Sequence, residues 1–386
     1  MVFIAPVLAA ALSAASLASA HPHFAPGDPA IAKRAAFQAT ARRSLADCQG
    51  ELMKKDGVYE QGIARREAFA NMARDQMNIR RDSVAFRKRD LVDVLATNHH
   101  SNLTDVTLET DPSTLFSGNS SCVLAPETTE GPYCKFYVDG EYVRFDLRED
   151  QEGVPLYVDF QLIDVNTCLP VPDVYVDYWH CNATGVYSGV IASSNGNSAD
   201  ETNVNATWLR GLAPTDENGV AQWLSIFPGH YTGRTAHIHV AAHQNGTLFD
   251  NGTYVSDTVS HVGQLFFDQS TITEVELLAP YNTNTQELTT NEEDGIMEQE
   301  AADIDPVMQY VYLGDSAEDG FVMWAAMGID TSVYNDISAA ASYYAEGGVM
   351  NPDSGMGGGP GGPPGGDIPS GSAPPPSASA SATASA

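Results

Sequence analysis

The run Leu156-Tyr-Val-Asp-Phe-Gln-Leu162 limits the fold more than any other stretch, because Leu156, Val158, Phe160 and Leu162 alternate with Tyr157, Asp159 and Gln161. A period of two sends neighbouring side chains to opposite faces, so this run predicts a half-buried strand rather than a helix with one apolar stripe. Val174, Val176 and Tyr178 alternate in the same way with Asp173, Tyr175 and Asp177. Thr215-Asp-Glu-Asn-Gly219 reads as a turn before a strand from Val220 to Phe227, and Arg234 to Ala241 and His261 to Phe267 read as further strands. Short strands separated by turns, with no strand–helix–strand rhythm, predict a mainly β chain built on an antiparallel β-sandwich over residues 122–346.

The flanking segments differ in composition. Residues 35–96 are rich in Ala, Arg, Gln, Glu and Met and predict a helical segment, divided at Gly57, with its second helix running from Glu60 to Leu95. Of 19 Lys and Arg residues, 14 fall between Lys33 and Arg89. A basic helical face is ordinarily solvated; the sharper alternatives are docking on the acidic β domain and helix-on-helix pairing in a homodimer. Residues 97–121 read as a linker, and 347–386, dominated by Gly, Pro, Ser and Ala, as a disordered tail with too little apolar surface to fold. A net charge of −31 argues against nucleic acid and anionic membrane surfaces as partners. No segment after the first twenty residues approaches the apolar length of a membrane span, so membrane insertion is not expected.

Met1–Ala20 reads as a signal peptide ending in Ala18-Ser-Ala20, and the pair Lys33-Arg34 marks 21–34 as a candidate propeptide. Sequons start at Asn102, Asn119, Asn182, Asn205, Asn245 and Asn251, which fits a secreted, extracellular glycoprotein. Five cysteines suit that compartment. Proximity in sequence suggests Cys122 with Cys134 and Cys168 with Cys181, leaving Cys48 as the odd one.

Chemistry concentrates in Phe227-Pro-Gly-His-Tyr-Thr-Gly-Arg-Thr-Ala-His-Ile-His239. On a strand, His237 and His239 share one face and Ile238 takes the other, where an apolar residue packs. On spacing alone the pair fits surface histidines, hydrogen-bonded histidines or metal ligands. A zinc or copper site would recruit a third histidine such as His261. His180, His230, His243 and His261 are otherwise expected outside a ligand set, with His180 beside Trp179 at a pocket wall.

Further motifs stand in order around this block. Tyr187 ends Trp179-His-Cys-Asn-Ala-Thr-Gly-Val-Tyr187, Tyr231 precedes His237-x-His239, Glu130-Gly-Pro-Tyr133 stands at the domain entry, and Val262-Gly-Gln264-Leu-Phe-Phe267 follows. Together, over about residues 122–270, they resemble the intradiol ring-cleavage dioxygenases, non-haem iron enzymes that open catechols between their hydroxyls. The signal peptide, sequons and tail resemble secreted, fungal-type members. The resemblance implies Fe(III) bound by Tyr187, Tyr231, His237 and His239. Two tyrosinates are hard anionic donors suited to ferric iron, and a free tyrosine titrates near ~10, so a strong cation is needed to hold both deprotonated. It further implies that a small aromatic diol binds through both oxygens in place of Tyr231 and a hydroxide. The ring then reacts with O2 to give a muconate-type diacid. Arg234 and Gln264 match positions beside the ring, where they stabilise developing negative charge. An acidic domain disfavours carboxylated diols relative to neutral ones. The alternative from another class is a secreted, non-catalytic β-sandwich that binds metal or glycan, which would hold metal without turnover.

Overall fold

The computed structural model describes residues 48, 58–79, 121–122, 135–137 and 141–350, the last span with gaps at 192–194, 197–198, 257, 302–304, 337–340 and 345–346. The expected signal peptide and propeptide, the linker up to residue 120, the Glu130–Tyr133 segment and the tail beyond Met350 lie outside the described residues. Gly347–Met350, grouped with the tail by composition, is a strand paired with Ala341–Tyr344.

The longer strands are β1 (Pro155–Asp164), β2 (Tyr175–Trp179), β3 (Arg210–Pro214), β4 (Val220–Ile226), β5 (His237–His243), β6 (Thr258–Phe266), β7 (Gln309–Tyr312) and β8 (Phe321–Ile329). They form two sheets, ordered β7–β8–β1–β4 and β6–β5–β2–β3, with short strands at the edges. The second sheet is antiparallel throughout these four strands. In the first sheet β8 runs parallel to β1, from Phe321 opposite Leu156 to Ile329 opposite Asp164. Most of the second sheet lies between those two strands in sequence, and it supplies the long crossover that a parallel pair requires. The sheets are two layers on one core. Leu156, Val158, Phe160 and Leu162 of β1 join Val176, Tyr178, Ile238, Val240 and Leu265 of the second sheet in a single buried cluster.

The polar face of β1 is also covered, which corrects the half-buried expectation: nine of its ten residues are buried. The cause is α1 (Val58–Met77), whose Ile63, Phe69, Ala70 and Ala73 pack on Tyr157, Leu224, Val311, Val322 and Trp324. The basic residues of α1 dock rather than solvate. Arg65 makes two bonds to the Asp159 carboxylate at 2.9 and 3.0 Å, and Gln222 adds a third at 2.7 Å. Arg66 lies over the Trp324 ring at 5.5 Å, and Arg74 donates to the carbonyls of Leu313 and Tyr312. Burial opposes the Asp159 charge, but Arg65 and Arg66 outweigh it and hold its pKa below the usual carboxylate value.

α1 ends well before Leu95. Asn78 takes a left-handed φ of 56°, with bonds from Asn78 N to Asp75 O at 3.3 Å and from Ile79 N to Arg74 O at 3.0 Å. That pair of bonds is a Schellman stop, in which Asn replaces the usual glycine.

Cys48 is bonded to Cys168, 120 residues away, tying the N-terminal segment to the first sheet. This overturns the pairing of Cys168 with Cys181. Cys168 lies in the turn after β1, whereas Cys181 follows β2 in the other sheet, where it is a buried free thiol donating to Gly229 O at 3.2 Å. Cys134 and the side chain of Cys122 lie outside the described residues. No helix among the described residues is long and apolar enough to cross a membrane.

Candidate metal centre

With α1 on the outer face of the first sheet, the chemistry gathers on the outer face of the second. β5 sends Ile238, Val240 and Ala242 into the core, which leaves His237 and His239 together on the other side. Both imidazoles are at most 1% exposed. His237 Nδ1 lies 2.6 Å from Thr235 O; a carbonyl can only accept, so the proton is on Nδ1 and Nε2 presents its lone pair. Trp179, paired across the ladder with His239, stacks on that ring at 4.9 Å and 5°.

The two tyrosines arrive on loops. The Tyr187 loop is built on Asn182, whose Oδ1 accepts from Thr184 N and Val186 N, and its end is held by two buried amides. Asn195 accepts from Tyr187 N at 2.7 Å and donates back to its carbonyl at 2.9 Å, and Asn203 donates to the same carbonyl at 2.7 Å. Arg210 adds two bonds to Ser188 O, at 3.0 and 2.8 Å. Tyr231 opens a turn closed by Arg234 N to Tyr231 O at 3.0 Å, with Gly233 at φ 85° in the position where a type II turn requires it.

These elements bring four polar atoms together. His237 Nε2 lies 3.1 Å from His239 Nε2, 3.3 Å from Tyr187 Oη and 3.4 Å from Tyr231 Oη, and His239 Nε2 lies 3.2 Å from Tyr187 Oη. Three groups thus face one lone pair on His237, which can accept a single in-plane hydrogen bond. A shared cation resolves this crowding. Two donors about 2.1 Å from one ion, at an angle of roughly 95–110°, sit about 3.1–3.4 Å apart. The donor set therefore fits a first-row metal ion. Among the described residues no three of His, Cys, Asp or Glu converge on a metal position, and the tyrosine oxygens are the side-chain oxygens found against this histidine pair.

Arg234 and Gln264 stand beside the donors. Gln264 is directly opposite His239 on β6, and its Oε1 accepts from Arg234 Nη2 at 2.6 Å. Arg234 Nε donates to Asp294 at 2.7 Å. Asp294 Oδ2 also accepts from Thr235 N at 2.9 Å, while Oδ1 caps α2 (Gly295–Ala301) by accepting from Ile296 N and Met297 N, both at 2.9 Å. Burial works against the Arg234 charge, but Asp294 and the two tyrosines outweigh it and raise its pKa.

No protein-family model matches the chain. No curated protein matches it either. Solved structures do. An intradiol ring-cleavage dioxygenase from Tetranychus urticae is 30% identical over 54% of this chain and 94% of its own, with a TM-score of 0.41. A second dioxygenase structure has the same identity and coverage and a TM-score of 0.42. The chain belongs to the intradiol ring-cleavage dioxygenases. The dioxygenase domain of a dioxygenase–carbohydrate-binding fusion from Streptomyces sp. SirexAA-E is 23% identical over 53% of this chain and 97% of its own, with a TM-score of 0.33.

In this dioxygenase His261, His180 and His230 lie apart from the donor set. His261 is opposite Ala242 on β6, and cross-strand partners share a face, so it points away from His237 and His239 and cannot complete a three-histidine site. His180 does not line a pocket wall with Trp179. Adjacent strand residues face opposite ways, and His180 packs edge-on to Tyr178, donating from Nδ1 to Cys181 O and accepting at Nε2 from Ser225. Burial lowers its pKa to about 4, so it is neutral. His230 places Nδ1 2.7 Å from Glu276 and Nε2 3.1 Å from the carbonyl of Gln286. Both partners are acceptors and favour the protonated ring; burial opposes this charge, but Glu276 and that carbonyl raise the pKa.

Sequence reasoning missed Asn195, Asn203, Arg210 and Asp294. For Asp294 a signal existed, since an Asp before an apolar helical turn is an N-cap pattern. Its second role, as partner of Arg234, has no local signature.

Proposed function

We propose that this dioxygenase is an extracellular Fe(III) enzyme that cleaves catechol-type diols between their hydroxyls with O2, giving muconate-type diacids, and that Tyr187, Tyr231, His237 and His239 hold the iron. The observation that carries the reading is the approach of the other three donor atoms to 3.1–3.4 Å of His237 Nε2, around its single lone pair. Bound ferric iron supplies a Lewis-acidic centre that stabilises both catechol oxygens as anions and makes the ring reactive towards O2. His237, with its proton locked on Nδ1 by Thr235 O, offers Nε2 without rearrangement. Tyr231, on a turn, takes the proton of one substrate hydroxyl at its Oη as the diol enters. Arg234 is held in place by Asp294 and Gln264, and its buried positive charge stabilises negative charge that develops on the ring. Trp179, flat against His239, keeps water from that side of the centre.

The test is the visible spectrum of the protein purified from a secretion host. A broad tyrosinate-to-iron band that shifts on anaerobic addition of catechol is expected, and Tyr187→Phe and Tyr231→Phe each alter it. Full iron content, unchanged absorption and full turnover in both variants would sink the assignment. For the location, the secreted protein is expected to start after Ala20 or after Arg34; a product found only inside the cell with Met1 in place would refute it.

A further inference from the structure

The two loops that carry Tyr187 and Tyr231 belong to different parts of the chain; their bases meet directly, Gly229 N donating to Asn182 O at 3.1 Å, and nearer the tyrosines one side chain bonds both backbones. Gln286 lies on the segment between Tyr281–Thr283 and α2. Its Nε2 donates to Thr184 O at 3.0 Å and Gly185 O at 3.2 Å, on the Tyr187 loop. Its Oε1 accepts from Thr232 N at 3.2 Å, on the Tyr231 turn. A primary amide serves both, since the first loop presents carbonyls to its NH2 and the second an N–H to its oxygen. Neighbouring bonds reinforce the strap. The Gln286 carbonyl accepts from His230 Nε2 at 3.1 Å, Asn284 donates to His230 O at 2.8 Å, and Thr289 accepts from Gly233 N at 3.1 Å. The fit is close: a Cβ on Gly185 or Gly196 would collide with the Gln286 amide, and Gly185 also needs its φ of 76°.

We propose that Gln286 is a positioning residue for the metal centre: by bonding Thr184 and Gly185 on one side and Thr232 on the other, it sets the separation of the Tyr187 and Tyr231 oxygens. This rests on the proposed ferric site. It acts through the backbone and touches no reacting atom. Holding both loops at the binding spacing lowers the cost of gathering two phenolates on one ion, so loss of the strap weakens metal retention and changes tyrosinate–iron overlap. Substitution of outer-shell groups of this kind typically costs about 10–100-fold in metal affinity.

The experiment compares iron-loaded parent, Gln286→Ala and Gln286→Glu by visible spectrum, by rate of iron loss to a chelator and by thermal unfolding. Both variants are expected to show a displaced tyrosinate band and about ten-fold faster iron loss. Gln286→Glu keeps the size and the acceptor for Thr232 N but has no N–H for Thr184 and Gly185, so it carries the test if Gln286→Ala does not fold. A parent-like band and release rate in the variants overturns the proposal, whether or not stability falls. A parent without a tyrosinate band overturns the ferric site, and this inference with it.

Discussion

Asp294→Asn tests the charge pair in the support beneath the centre while keeping the helix cap. Asp294 is fully buried, and Arg234 beside it is 3% exposed. The substitution keeps the shape and an oxygen able to cap Ile296 N and Met297 N, because Asn is as good an N-cap as Asp. What it removes is the charge that balances a buried guanidinium, together with the oxygen that accepts from Arg234 Nε and Thr235 N. Breaking a buried pair from one side costs about 3–5 kcal/mol, since the other charge remains without compensation. At about 2–4 °C per kcal/mol for a domain of this size, the melting temperature falls by roughly 6–20 °C. Asp294→Ala loses the cap as well and costs about 1 kcal/mol more. The assay is thermal and urea unfolding of metal-free protein followed by circular dichroism, so that ligand binding does not contribute. Adding Arg234→Gln to Asp294→Asn removes the stranded charge, so the double variant is expected to be more stable than Asp294→Asn alone. An Asp294→Asn cost below about 1 kcal/mol, or a double variant as unstable as the sum of its parts, would refute the argument that the pair is electrostatically coupled.

Two further outcomes test the docking of α1. Asp159 has a depressed pKa in the folded state, so its contribution is fully present above the unfolded carboxylate pKa and is lost as pH falls through the folded value. The stability gap between parent and Asp159→Asn is therefore expected to be widest near neutrality and to close in acid; a gap independent of pH would contradict the ion-pair account. The Cys48–Cys168 bond closes a loop of 120 residues, for which chain entropy gives about 4–5 kcal/mol. Cys48→Ser is expected to lose stability of that order, and a non-reducing peptide map should show those two cysteines joined; a map joining Cys168 to Cys181 would overturn the connectivity.

What could be read in the sequence was what periodicity and local order encode. The alternation at Leu156–Leu162 gave the strand, and the two-residue spacing of His237 and His239 gave their common face, with Ile238 in the core as expected. Other features depend on which distant surface meets which. Nothing around Asp159 in sequence indicates that a helix carrying Arg65 will cover it, 94 residues away. The disulfide misled for the same reason, because near neighbours such as Cys168 and Cys181 sit on different sheets. The helix end at Met77 was missed on a local rule: Asn78 accepts the left-handed conformation ordinarily read from glycine. The clamps on Tyr187 come from asparagines at 195 and 203, in a polar stretch whose composition marks it only as a loop.

The four proposed donors rest on backbones of unequal firmness, and that inequality bears on how the site opens. His237 and His239 belong to β5: His239 is paired with Trp179 of β2 and Gln264 of β6, and His237 with Phe266 of β6, so moving either ring with its backbone disrupts a sheet ladder, and for His239 two of them. The Tyr187 main chain is clamped at its N–H by Asn195 and at its carbonyl by Asn195 and Asn203, all inside the protein. Tyr231 lies in a four-residue turn closed by one backbone bond, and the next two N–H groups, those of Thr232 and Gly233, are held by the exposed bonds to Gln286 and Thr289. Swinging the Tyr231 ring outward leaves both sheets and the asparagine clamp intact. If one donor must leave to admit the second oxygen of a diol, the mechanical cost is lowest for Tyr231, which is also the residue that the sequence resemblance marks for displacement. Two independent lines, one from motif order and one from the bonds that hold each loop, thus select the same residue as the mobile ligand of the proposed centre.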